Sequence, residues 1–404
     1  MKVAIIGGGA AGFFSAISVK ENYPEAEVII FEKSGKLLAK VKISGGGRCN
    51  LSNNAASAKD LSSAYPRGRK ELKKAFQNFN NKDAMNWFED HGVPLVVQDD
   101  NCVFPKSQNS QSVIDCFIQE TKKSGVKIER GMGIKEILSI NNKLGLVFLD
   151  EKYKSMIFDK IIIASGGSPD INKFDWLKKL NHTIEEPVPS LFTFNLPEEP
   201  ITGLMGIVAE KVLLGIQGTK LKANGPLLIT HWGMSGPAVL KLSSFGARVL
   251  SEKNYDFNVR INWVNENNTD TVREELINIS SEHPNKLLSN FKPYSLPDRL
   301  WSFLLEKCEL SKSKKWNELG KKGTNKLTNI LTNDIYSVKG QTKFKEEFVT
   351  CGGVSLGNVN FNTMESKVCK NLYFAGEVLD IDGITGGYNL QAAWTTGFIA
   401  GKLM

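Results

Sequence analysis

One feature near the start of the chain limits its fold more than any other. An apolar stretch, Lys2–Ile6, runs straight into Gly7-Gly8-Gly9-Ala10-Ala11-Gly12. A helical stretch, Phe13–Asn22, then leads to a second apolar stretch, Val28–Phe31, which ends at Glu32. Strand, glycine turn, helix and strand in about 30 residues make a βαβ unit, and hence a parallel sheet. The spacing Gly7-x-Gly9-x-x-Gly12 has a physical reason at each position. Gly7 allows the tight turn, Gly9 lets the backbone approach a pyrophosphate, and Gly12 lets the helix pack close to the sheet. Ala10 and Ala11 belong to the helix N-terminus, where backbone N–H groups favour phosphate. Glu32, at the end of the second strand, is placed to accept hydrogen bonds from an adenosine ribose. A carboxylate there repels a 2′-phosphate, so FAD or NAD is expected rather than NADP.

Two further glycine-rich runs follow. Ser44-Gly45-Gly46-Gly47-Arg48-Cys49-Asn50, preceded by Lys40 and Lys42, exposes backbone N–H groups and permits positive φ. That suits wrapping a phosphate or the edge of a flat ring, although composition alone also fits a mobile surface loop. Near the C-terminus the strand-like Asn371–Ala375 runs into Gly376-Glu377, then through Gly386-Gly387-Tyr388-Asn389-Leu390 into a final helix. In flavoproteins an acid at the end of such a strand bonds the ribitol, and the helix that follows aims its positive end at the pyrimidine side of the ring. Between these runs the buried-looking Ile161-Ile162-Ile163 ends in Ala164-Ser165-Gly166, where such chains pass the cofactor and leave for a second domain.

Composition removes other classes. A chain of 404 residues with 23% charged side chains reads as a multi-domain globular protein. No apolar run approaches the length of a bilayer span, and the N-terminal apolar stretch stops too soon for a signal peptide, so a cytoplasmic protein is expected. Six cysteines form no CxxC pair and four histidines make no ligand spacing, so neither a disulfide framework nor a metal site is expected. The net charge of +8 is a modest excess that leaves polyanionic partners open.

The pattern suggests one domain built from both chain ends, 1–188 with 346–404. An inserted, mostly β domain would span 189–265 with 333–345, and a small helical cap 266–332. The fold class is therefore α/β: a two-dinucleotide-motif, FAD-binding, Rossmann-like domain with an inserted mostly-β domain and a helical cap.

The ordered set formed by residues 44–50, 164–167, Thr230–Ala238, Cys351–Val354, Met364–Ser366 and 376–394 resembles the bacterial YhiN/BaiN-like family of FAD-dependent oxidoreductases over nearly the whole chain. The segment after Gly167 is shorter than the family's usual glycine-rich stretch, and Phe192–Phe194 stands where aliphatic residues are common. The resemblance implies bound FAD, with cofactor contacts also from Lys33, Lys40, Ile134 and Leu390. It implies hydride transfer at the flavin, reducing a C=C bond conjugated to a carbonyl. The substrate would be uridine in ribosomal RNA, giving dihydrouridine, or a small steroid-like enone; oxidation of a small amine is an alternative. A flavin-containing RNA-binding factor without turnover is another.

Reduction of that kind needs a proton donor, and Cys49, Tyr388 and His231 are the candidates. There is no second GxGxxG, so NAD(P)H would reduce the flavin transiently at the face that later meets substrate. An RNA substrate calls for distributed cations. Arg67, Arg69, Lys70, Lys73 and Lys74 form one cluster, and Lys314, Lys315, Lys321 and Lys322 another around Trp316. A solvated lysine face is the plainer reading of both.

Overall fold

The structure, a computed structural model, describes residues 1–340 and 349–404. The chain divides into two units. One takes in Met1–Pro189 and Val349–Met404, and the other is the intervening chain from Ser190.

The first unit is organised by a seven-stranded sheet. In chain order its strands are β1 (Lys2–Ile6), β2 (Glu27–Glu32), β3 (Lys127–Arg130), β4 (Lys160–Ile163), β5 (Val359–Asn360), β6 (Glu365–Ser366) and β7 (Leu372–Phe374). Their order across the sheet is β5-β6-β7-β4-β1-β2-β3. From β7 to β3 every pairing is parallel, with Ile5 opposite Ile30 on one side and Ile162 on the other. Central parallel strands are covered on both faces, which is why β1, β2 and β4 read as unbroken apolar runs. Ribbons β5 and β6 close one edge in antiparallel pairing.

Helix α1 (Ala10–Asn22) follows β1, and helix α2 (Tyr388–Gly401) ends the chain. Both are buried along most of their length, and they pack directly on each other. A Cβ at Gly397 would lie 2.9 Å from the Ala11 carbonyl oxygen, and one at Gly401 would lie 2.5 Å from the Ser18 Cβ. Ser18 Oγ donates to the Phe398 carbonyl at 2.8 Å. The register ascends together, Ala11 with Gly397 and Ser18 with Gly401, so the helices run parallel. Tyr388 lies nine residues before Gly397, so the N-terminus of α2 projects about 12 Å beyond that of α1. Smaller sheets surround this core. One is Ser52–Asn53, Cys102–Pro105 and Leu95–Val97; another is a meander of Ile134–Ile140, Lys143–Phe148 and Met156–Phe158; and Ile184–Pro189 pairs with Thr350–Val354.

The second unit holds a six-stranded antiparallel sheet. It includes the long hairpin Val208–Ile216 with Lys222–Thr230 and the pair Asp256–Asn262 with Asp334–Lys339. Helices Thr269–Glu282, Asp298–Lys307 and Gly320–Thr332 lie in the chain between these last two strands. Phe194, Leu214 and Leu242 share one hydrophobic cluster with Trp301, Trp316 and Leu327. Residues 266–332 therefore do not stand as a cap domain of their own, because their apolar face is the other half of the sheet's core. The sheet region also contains a helix, Pro237–Glu252, that the β-rich reading omitted. Its signal is Pro237 at the first helical position and buried Ala238, Val239, Leu242 and Leu250 at helical spacing. No described helix is long and apolar enough to cross a membrane.

The α1–α2 contact sets a test of the fold. Gly397→Leu puts a side chain where the Ala11 carbonyl sits and should destabilise the first unit by about 1–3 kcal/mol. Thermal unfolding should show a lowered transition together with earlier release of bound cofactor. An unchanged melting curve would contradict this packing.

Candidate functional site

The carboxyl ends of β1, β4 and β7 meet at one edge of the sheet. Gly7, at φ +115°, turns the chain so tightly that a Cβ would lie 2.3 Å from the Ala164 carbonyl oxygen and 3.0 Å from the Ser165 Cα. Gly12 is required because a Cβ there would sit 1.9 Å from the Gly7 carbonyl oxygen. Gly9 differs: the space where its Cβ would be is open, and it precedes α1 with no side chain capping the helix. The backbone of Gly9, Ala10 and Ala11 is thus presented at an uncapped N-terminus. Glu32 accepts the Gly8 N–H on one carboxylate oxygen and the Ser34 N–H on the other, both at 2.8 Å. These bonds fix the carboxylate and leave lone pairs on each oxygen. The Met132 N–H bonds the Glu32 carbonyl at 3.0 Å, and a Cβ at Gly133 would meet the Lys33 Cβ at 3.5 Å. This brings half-buried Ile134 and exposed Lys33 to the same corner.

The 44–50 run forms a tight turn, with Gly45, Gly46 and Gly47 at φ of +55°, +67° and +83°. Gly46 and Gly47 face open space, whereas a Cβ at Gly45 would meet Asn50 N and the Phe104 ring at 2.8 Å. Arg48 holds the turn: its guanidinium lies 4.2 Å from the Phe104 ring centre and donates to the Gly45 carbonyl and to Gln108 Oε1 at 3.3 Å. The structure corrects the reading of Cys49 as proton donor. Cys49 has 0% of its surface exposed, lies in the hydrophobic core, and has its thiol pushed up to about 12 by that burial. A thiol with no accessible surface cannot hand a proton to a substrate.

The C-terminal run lies alongside. Gly376, at φ +76°, passes against Ala11, and Gly167 is within 3.1 Å, by its would-be Cβ, of Glu377 Cγ. Glu377 Oε2 takes the Lys40 ammonium at 2.5 Å, whereas Oε1 is buried with no partner among the described residues. Gly387, at φ +87°, sits so close to Ser52 that a Cβ would be 2.3 Å from its carbonyl oxygen. With its amide oriented to satisfy both neighbours, Asn50 donates to the Ser52 carbonyl at 3.0 Å and accepts the Gly387 N–H at 3.3 Å. Asn389 clamps Gly383 through both main-chain groups, at 2.8 and 2.9 Å. Its side chain is therefore occupied in shaping the turn. Tyr388, Gly386 and Leu390 are half-buried around the N-terminus of α2, which has no side-chain cap. The Tyr65 hydroxyl donates to the Tyr388 carbonyl at 2.6 Å, and the two rings meet edge to face. Burial raises the Tyr388 phenol above its ordinary value, as do the nearby Cys102 and Asp100. Ser165 is exposed and Gly166 is open at its would-be Cβ.

His231 is exposed in the second unit, its ring edge-on to Trp232 at 4.4 Å. Arg67 does not offer its charge to solvent: its guanidinium is bonded twice to the fully buried Asp382. The Gly68 that follows would meet Ile381 at 2.9 Å through a Cβ. Helix Arg69–Ala75 is thereby tied to the turn before α2. It shows Arg69, Lys70, Lys73 and Lys74 to solvent and buries Leu72 and Ala75. In the second unit Lys315, Lys321 and Lys322 are exposed and Lys314 is half-buried. Sequence reasoning passed over Asp382 and Tyr65, whose partners lie more than 300 positions away; no local pattern announces such pairs.

Comparison with known proteins places the chain. Residues 1–403 match the family model described as HI0933-like protein Rossmann domain. The chain belongs to the HI0933-like family. It is 27% identical over 410 residues to the 3-dehydro-bile acid delta(4,6)-reductase of Clostridium scindens, covering 99% of this chain and 98% of that protein. It is 29% identical over 403 residues to the ribosomal RNA dihydrouridine synthase of Escherichia coli, covering 98% and 95%. Among solved structures, the 3-ketosteroid delta1-dehydrogenase of Sterolibacterium denitrificans aligns with a TM-score of 0.52 at 9% identity, over 99% of this chain and 98% of that one. That last likeness is one of fold. This member of the family is an FAD-dependent oxidoreductase.

The residues present suit FAD. Open space at Gly9, Gly46 and Gly166, the unpartnered buried oxygen of Glu377 and two uncapped helix ends in one cradle are what a phosphate-linked ring would use. Because all six cysteines are buried, the native protein should give almost no rapid reaction with a thiol reagent at pH 8 and full reaction in denaturant. Cys49→Ser should keep substrate reduction within about twofold of wild type. A loss of 100-fold or more, the scale of a missing general acid, would restore the thiol as donor.

Proposed function

We propose that this oxidoreductase reduces a C=C bond conjugated to a carbonyl, and that its substrate is uracil within ribosomal RNA, giving dihydrouridine. FAD, when bound, supplies the hydride. The observation that carries the RNA reading is the basic helix Arg69–Ala75. Its four exposed cations, Arg69, Lys70, Lys73 and Lys74, are tied through Arg67–Asp382 and Gly68–Ile381 to the turn that leads into α2. Cations fixed beside a cofactor turn suit a polyanion whose reacting base must reach that turn. The kinship with a ribosomal RNA dihydrouridine synthase supports the same reading.

In this proposal Tyr388 holds the proton that goes to the α-carbon of the reduced double bond. Its side chain is half-buried, and the raised phenol stays protonated throughout the neutral range. The N–H groups at the start of α2 favour negative charge developing nearby. Asn50 and Asn389 position that backbone. NAD(P)H is the proposed electron source.

Dihydrouridine in ribosomal RNA should fall to background at specific positions in a strain lacking the gene and return with the wild-type copy. Unchanged levels would sink the RNA reading and leave a small enone as the substrate. Arg69→Glu with Lys73→Glu should raise KM for RNA about tenfold or more at low salt while FAD stays bound. Tyr388→Phe should slow reoxidation of the reduced protein by substrate about 100-fold or more. In wild type that rate should stay flat through pH 9, because a raised phenol pKa moves deprotonation to higher pH.

A further inference from the structure

Helix Gly320–Thr332 carries a pattern that the flavin chemistry does not use. Thr324-Asn325, Thr328-Asn329 and Thr332-Asn333 repeat every four residues. That period lays two ridges along one side of the helix, with about 6 Å of rise between successive pairs. Lys321 extends the asparagine ridge by one more step. Between this helix and Thr269–Glu282 lies a groove of about 770 Å³, which shares Thr269 and Asn329 with a neighbouring hollow of about 390 Å³. The asparagine ridge therefore runs along both.

The chemistry of the walls is one-sided. Arg273 and Lys321 border the first part and Lys222 and Arg260 the second, and no carboxylate lines either. Among the described residues, no acid pairs with Lys321, Lys222 or Arg260, whereas Arg273 shares one nitrogen with Asp270. The side-chain amides of Asn325 and Asn329 are exposed and have no hydrogen-bond partner among the described residues. The threonines are informative too. Thr324 and Thr332 bond back to their own helix, at 2.9 and 2.8 Å. Thr328, between them, is 2% exposed and its hydroxyl has no partner among the described residues. A buried hydroxyl left unsatisfied in a groove wall is costly unless something bonds it.

We infer that this groove binds single-stranded RNA along its ribose-phosphate backbone. This rests on the proposed RNA substrate and adds where the strand is held in the second unit. Cations at both ends attract phosphate, while neutral amides and hydroxyls both donate and accept, as phosphate oxygens and 2′-hydroxyls require. The ridge from Lys321 to Asn333 is about 18 Å long, room for a short extended stretch of nucleotides. No aromatic side chain lines it, so bases are not stacked there and sequence preference should be weak.

The test uses the full-length, FAD-loaded protein and a fluorescent ten-nucleotide oligouridylate, read by anisotropy across a salt series. Asn325→Asp with Asn329→Asp should weaken binding about tenfold or more, and Lys321→Gln with Arg260→Gln should flatten the salt dependence. Bound FAD per chain serves as the folding control. Unchanged affinity in the aspartate pair overturns the groove assignment. Full competition by UMP at concentrations near those of the oligonucleotide also overturns it, since the occupant would then be a mononucleotide. Dihydrouridine formation on ribosomal RNA, measured in parallel, separates the two ideas. Reduction that is indifferent to the aspartate pair removes the groove and keeps the function. Binding lost in the pair, with no uridine reduced by wild type, keeps the groove and removes the function.

Discussion

The first unit depends on two helices from opposite ends of the chain lying closer together than ordinary side chains allow. Gly397 and Gly401 give α2 a face without side chains where α1 offers the Ala11 carbonyl and Ser18. Close parallel packing does more than fill the core. It points two positive helix ends toward the same edge of the sheet and staggers them by about 12 Å. A cofactor whose pyrophosphate and electron-accepting ring lie some way apart suits that stagger better than a compact ligand does. The terminal segment is thus half of the candidate site, and the first βα turn alone would hold only the adenosine and pyrophosphate part.

What surrounds those helix ends is a set of side chains engaged in holding backbone. Asn389 closes on Gly383, Asn50 joins Ser52 to Gly387, and Ser52 Oγ donates to Gln391 Oε1 at 2.6 Å. The Trp394 indole reaches back to the Leu51 carbonyl at 2.8 Å. The bonds of Asn50, Ser52 and Leu51 tie the 44–53 segment to α2 and its N-terminus, so the loop and the helix end are joined directly. A site assembled this way is preorganised: donors that stabilise charge are fixed before the substrate arrives, and little reorganisation is left for the reaction.

This division between holding and reacting explains what could be read from the sequence. The β1-α1-β2 unit was legible because buried parallel strands are continuous apolar runs and the glycine spacing has a steric cause at every position. The 376–390 turn was legible for the same reason, and so was the α/β class. Roles inside the loops were harder. Cys49 looked like a donor beside glycines, yet its φ of +65° turns the thiol into the core. Arg67 looked like the first member of a basic patch, yet it pairs with Asp382 across 315 positions. Asn389, a cofactor-binding candidate, has its side chain bonded to both main-chain groups of Gly383. For Arg67 the residue type was right for the chemistry and a contact 315 positions away decided its orientation, which no short window along the chain contains. Helix Pro237–Glu252 was missed for a different reason: the neighbouring strands and prolines drew the whole region toward β structure.

The Arg67–Asp382 pair carries the argument furthest. Asp382 is fully buried and the Arg67 side chain is 13% exposed. Taking two charges out of water is expensive, and a well-packed apolar pair of the same volume would often hold a fold as well. Removing one partner, by contrast, leaves a buried charge and costs about 3–5 kcal/mol. The pair is therefore better understood through what it specifies than through net stability. It fixes the register of the chain at Gly68, where a side chain would strike Ile381, and so sets the direction in which Arg69–Ala75 leaves the cofactor turn. An apolar pair would tolerate sliding of that helix, whereas two directed bonds to one carboxylate do not. In the proposed reaction that fixed bearing would present four cations to an extended polyanion.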